Sequence, residues 1–107
     1  MTSKITIIYT TVASIQDAEK LGEQAIKSKL AACVNIIPNA ISIYEWEGKI
    51  EKTSELLMIF KTSNFKQAKL YKWLLDNHPY SVPAIIKANV DTSIEFNNYV
   101  KAQTVDL

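Results

Sequence analysis

Cys33 and His78 are the only soft or borderline-soft side chains of this 107-residue chain strongly suited to copper, since a thiolate favours Cu(I) and an imidazole suits Cu(II). A structural tetrahedral site wants four ligands. A specific metal site would therefore draw on other subunits, on Met1 or Met58, or on carboxylates. Each residue also has a purely structural reading. Cys33 directly follows a helical segment and leads a strand, the place of a small buried hydrophobe. His78 ends a helix, where the macrodipole favours an imidazolium. One thiol near one imidazole is also the minimum for acyl transfer, but no orienting third group is identifiable.

Composition narrows the chemistry further. The chain has 12 basic and 11 acidic residues, a net charge of +1, and every basic residue is lysine. Without arginine there is no bidentate fork for phosphate or guanine edges, which argues against nucleic acid as a partner. Only Gly22 and Gly48 occur, so neither a P-loop nor a dinucleotide-binding glycine fingerprint can be present. A single cysteine cannot form an internal disulfide, and the first residues lack the apolar core of a signal peptide, so the expected compartment is the cytoplasm. The apolar run Leu56 to Phe60 is far short of the roughly 20 residues of a membrane-spanning helix, and no membrane insertion is expected.

The elements that must position these residues follow from periodicity. Lys4 to Val12, rich in Ile, Tyr, Thr and Val, reads as a strand. From Ile15 to Leu30, Ala18, Leu21, Gly22, Ala25, Ile26 and Leu30 form one apolar helical stripe, with Ser14 placed as the cap. Cys33 to Trp46 and Lys49 to Thr62 are two strands meeting at Glu47-Gly48, where glycine supplies the positive φ of a tight turn. A two-residue turn puts Tyr44, Trp46, Lys49, Glu51 and Glu55 on one face. Leu56 to Phe60, apolar at every position, reads as a strand buried on both sides.

A second helix spans Phe65 to Asn77, with Asn64 and Gln67 as a capping box. His78-Pro79 stops it, and Pro83 sends the chain into a last strand, Ala84 to Val90. Thr92 and Glu95 form another capping box before a short terminal helix. The order β-α-β-β-α-β plus a C-terminal helix is a single ferredoxin-like α+β domain over residues 1–107, with an antiparallel sheet. Two helices cover one sheet face. The other face would be an exposed apolar patch, which predicts a homo-oligomer.

Four segments, Leu30-Ala31-Ala32-Cys33-Val34-Asn35, Tyr44-Glu45-Trp46-Glu47-Gly48-Lys49, Glu55 through Lys61-Thr62, and His78-Pro79-Tyr80-Ser81-Val82-Pro83, together resemble the CutA divalent-cation tolerance family. The resemblance runs from about Ile5 to Ala102. It implies a tight homotrimer, similar to the nitrogen-regulatory PII proteins, whose long hairpin strands cross subunit boundaries. It also implies a role in tolerance of copper and other divalent cations, with copper binding credited to members and no catalytic reaction attached. Two positions depart from the family pattern: Ala84 stands where a glutamate is usual, and Tyr99 where a tryptophan is usual.

With hairpin and His-Pro-Tyr loop near a subunit boundary, as that resemblance implies, Tyr44, Trp46 and Tyr80 could line a ligand cleft. Interface packing is the alternative, preferred for Trp46, because aromatic residues are enriched in contacts generally. Glu55 and Lys61, if turned to the same cleft, could bind an anion or act as acid and base, although salt-bridged strand residues look the same. The expected protein is non-enzymatic, needs no cofactor and holds copper or another divalent cation weakly, with metal ligands His78 and Cys33. The alternatives are a PII-like signalling module with a small ligand between subunits, and a trimeric scaffold that anchors partner proteins.

Overall fold

The structure, a computed structural model, describes residues 1–106. Seven elements follow one another: β1 (Ser3–Val12), α1 (Ile15–Lys27), β2 (Cys33–Trp46), β3 (Lys49–Thr62), α2 (Gln67–Asn77), β4 (Ile85–Thr92) and α3 (Ile94–Thr104). The strands form one antiparallel sheet in the order β2-β3-β1-β4. Ferredoxin-like order and hairpin bounds agree with the expectation.

The side chains of Ile8 and Val12 in β1 and of Met58 and Phe60 in β3 point to one face, where Leu21 and Ala25 of α1 and Leu70 and Leu74 of α2 close the main core. Alternation sends Ile5 and Ile7 to the opposite face. There α3 covers one end of the sheet, burying Val100 with Ile5 and Ala32 and packing Phe96 beside them. The second face is thus only partly open. Its remaining half presents half-buried Leu57 and Ile59 with exposed Ile37 and Ile86.

Two helix starts differ from the sequence reading. Ser14 caps α1 as expected, its hydroxyl accepting from the Asp17 amide. The Asn64–Gln67 box does not form: α2 begins after Lys66 with no side-chain cap. The Asn64 carbonyl accepts instead from the Thr6 hydroxyl at 2.7 Å, and the Gln67 carbonyl from Lys87 at 2.6 Å. Ser93, not Thr92, caps α3 by accepting from the Phe96 amide, because β4 runs on through Thr92 to pair with Ser3.

The hairpin turns at Glu47 and Gly48, both at positive φ (50° and 79°), the geometry of a two-residue type I′ turn. A register break between Ile37 and Ala40 contains Asn39 at φ 64°. β1 pairs with β3 only as far as Leu56. From Glu55 to the turn the hairpin is therefore a two-stranded arm, with Ile41, Ile43 and Ile50 exposed on one side and Tyr44 and Trp46 on the other. The arm contributes to the molecule's elongated dimensions of 46 × 28 × 21 Å.

Candidate functional site

Alternation along the arm places Tyr44 opposite Glu51 and Trp46 opposite Lys49, with Glu55 on the same face two strand repeats beyond Glu51 towards the body. The shared face inferred for Tyr44, Trp46, Lys49, Glu51 and Glu55 is the one observed. The α2–β4 connection bends through residues 79–82 and brings Tyr80 to the base of the arm. Its hydroxyl donates to a Glu55 carboxylate oxygen at 2.7 Å. The result is a cleft of about 810 Å³ lined by Tyr44, Trp46, Tyr80, Glu51 and Glu55, and by Thr11 and Ala84.

Glu55 is held as a carboxylate. Burial alone would raise its pKa, but the hydroxyls around it, of Ser42, Tyr80 and Thr11, outweigh that and leave it below its ordinary value. Tyr80 shifts the other way: burial, then the bond to Glu55 and the charge on that carboxylate, raise its pKa far above the usual phenol value. The pair is therefore an anion held by a neutral donor at neutral pH, and it has no proton to exchange there.

His78 stands directly behind this pair, its ring 4.9 Å from that of Tyr80. Its backbone amide closes α2 on the Leu74 carbonyl. The ring nitrogens are both engaged. Nδ1 accepts from the Tyr80 amide at 3.0 Å, so it carries no proton. Nε2 then carries the proton and donates to the Thr11 carbonyl at 2.9 Å, with the Thr10 hydroxyl oxygen equally close. Burial lowers the His78 pKa, outweighing the Thr11 carbonyl and the charges of Asp17 and Glu55, which raise it. A neutral imidazole with both nitrogens occupied splints the loop that delivers Tyr80.

Cys33 lies elsewhere. It is half-buried at the start of β2, opposite Lys61, with its sulfur 4.0 Å from the Asn35 side-chain oxygen. The structure does not bring Cys33 and His78 together, and among the described residues no three of His, Cys, Asp or Glu are grouped to hold a metal ion. The donor set of this chain alone thus does not fit a copper centre. Lys61 shares a strand face with Glu55 but sits six residues along, roughly 20 Å away. Its ammonium lies 5.8 Å above the Phe96 ring, on the side of α3. Thr11 and Ser42 complete the Glu55 environment unforeseen. Thr11 comes from β1, and nothing in its local sequence marks it.

A family model described as CutA1 divalent ion tolerance protein matches residues 6–103. The chain is similar to "Protein CutA, chloroplastic" of Arabidopsis thaliana, 42% identical over 80 residues, which are 75% of this chain and 44% of that protein. It is similar to the divalent-cation tolerance protein CutA of Yersinia pestis (strain Pestoides F), 34% identical over 84 residues, 78% of this chain and 71% of that one. The chain spans about half the length of the plant, frog and mouse relatives it matches. Among solved structures, the divalent ion tolerance protein CutA1 from Ehrlichia chaffeensis superposes with a TM-score of 0.92 at 32% identity, covering 94% of this chain and 95% of that one. Among the described residues no helix is long and apolar enough to cross a membrane.

Proposed function

The chain belongs to the CutA1 divalent ion tolerance family, and on that premise we propose that it serves divalent-cation tolerance as a non-enzymatic, cytoplasmic homotrimer that acts through the cleft at the base of its hairpin arm. The observation that carries this reading is the Tyr80–Glu55 bond, which fixes an ionised carboxylate between aromatic walls. Copper is held weakly, at the surface or between subunits, because a metal at His78 must displace either the Tyr80 amide or the proton shared with Thr11.

Assembly is supported by the arm itself. A two-stranded hairpin is marginal in water on its own, and this one leaves Ile41, Ile43 and Ile50 exposed along one side. A neighbouring copy would cover them, as the PII-like arrangement requires. The same cleft suits a signalling module that binds a small ligand and passes a shape change to a partner. A plain scaffold would leave the cleft without a ligand.

Native mass spectrometry with one equivalent of copper per chain and a competing chelator tests the proposal. The expected species is a trimer that yields its copper to the chelator. A trimer retaining a defined number of copper ions, lost in His78→Ala, would overturn the weak-binding reading. A monomer would overturn the assembly.

A further inference from the structure

The cleft has a charge sign and a length, and together they define a ligand class. Glu51 and Glu55 line it, and no lysine does; Lys49 shares the face but lies at the tip of the arm, outside the lining. An anionic ligand would meet two like charges. The two carboxylate residues share one face of β3, four residues apart, so their backbones are roughly 13 Å apart. Glu55 is also tied to Tyr80 at 2.7 Å. Carboxylates so spaced do not converge on a single metal ion, whose oxygen ligands sit at about 2.0–2.6 Å. They suit an elongated cation with a charge near each end.

The walls between them are aromatic. Tyr44 stands across from Glu51, Trp46 lies beyond it towards the turn, and Tyr80 stands at Glu55. Aromatic faces attract ammonium groups and cover methylene chains, and the volume of about 810 Å³ lies within the range of small-molecule sites. We propose that this cleft binds a linear aliphatic polyamine, with one ammonium end on Glu51, the other on Glu55, and its methylenes against Tyr44, Trp46 and Tyr80. The proposal rests on the reading of the cleft as a ligand site given above.

The test is titration of the assembled 107-residue chain with spermidine, read by heat and by the Trp46 indole resonance in a heteronuclear NMR spectrum. Putrescine, magnesium chloride and ATP serve as comparison probes. Spermidine is expected to saturate and to move the Trp46 indole and the β3 amides, more tightly than the shorter putrescine and without competition from magnesium at equal ionic strength. Glu51→Gln and Glu55→Gln, each confirmed folded by its amide spectrum, should weaken spermidine about three- to tenfold. Unchanged binding in both variants would overturn the polyamine assignment. If ATP moves the same resonances and spermidine does not, the cleft is a ligand site but the polyamine assignment fails. If no probe moves them, the polyamine assignment fails and the ligand-site reading fails with it.

Discussion

The Tyr80 hydroxyl sits 2.7 Å from a Glu55 carboxylate oxygen, joining the loop after α2 to the strand that forms the inner side of the hairpin arm. Twenty-five residues separate the two in sequence, and no regular ladder links them. Removing this hydroxyl tests what the link contributes. Tyr80→Phe should lower stability by about 1 kcal/mol, the net value of a typical hydrogen bond, and lower the Tm by a few degrees. Thermal unfolding followed by circular dichroism measures it, and a variant melting with the wild type would show that the bond adds nothing to the fold.

Stability should fall in acid and again in strong alkali. Burial holds His78 below its ordinary 6.5, so the native state binds fewer protons than the unfolded chain, and its contribution is lost as pH falls below about 6.5. Glu55, held below 4.5, contributes above that value and loses its contribution as pH falls further. Tyr80 is raised above 10.0, so its contribution is complete below pH 10 and lost as pH rises beyond it. Urea midpoints across pH should trace this dome. His78→Gln should flatten the slope just below pH 6.5, and an unchanged slope would assign that limb to other groups.

The two glycines should respond oppositely to alanine. At Gly22, inside α1, an added Cβ would meet Val34 at 3.4 Å and Met58 at 3.8 Å, ordinary contact distances. Gly22→Ala should therefore stabilise by about 0.5–1 kcal/mol through helix propensity. Gly48 has open space around it but a φ of 79°, so Gly48→Ala should cost about 1–2 kcal/mol in backbone strain. Chemical denaturation of both variants would check the signs. Stabilisation of both would contradict the turn geometry, and loss in both would contradict the space at Gly22.

Lys66 is buried at the start of α2, and its ammonium lies 2.6 Å from Asp106 beyond the end of α3. The hydrogen bond from Lys66, and then its charge, hold the Asp106 carboxyl below its usual range. Asp106→Ala leaves a buried cation unpaired and should destabilise the chain, whereas adding Lys66→Met to that variant should restore much of the loss. Equal melting of the single and double variants would show that Lys66 finds solvent instead.

How much of this was legible in the sequence differs by element. Glu47-Gly48 between two apolar runs was enough for the hairpin, its bounds and the register of its outer arm, because a two-residue turn with alternating side chains leaves one arrangement, whereas the register break between Ile37 and Ala40 lies beyond the reach of the turn. The face shared by Tyr44, Trp46, Glu51 and Glu55 followed from that register. The capping boxes at Asn64 and Thr92 were misread. Asn64 is 58 residues from the Thr6 hydroxyl that takes its carbonyl, and Thr92 is drawn into β4 by its pairing with Ser3. A local motif cannot weigh such distant competitors.

The roles of His78 and of the second sheet face belong to the tertiary structure for the same reason. Sequence showed a histidine before a proline at a helix end, fit for a structural task at least as well as for a metal. Only the fold brings Thr10 and Thr11 to one ring nitrogen and the Tyr80 amide to the other, because those contacts depend on how β1 lies against the end of α2. The same holds for α3, whose weak apolar side gave no sign that it would cross to the opposite face of the sheet. Periodicity and turn chemistry act between neighbours in the chain and so determined the elements and their faces. Hydrogen bonds and charges act through space, so the Tyr80–Glu55 pair and its splinting histidine were decided by the packing of elements that no local pattern connects.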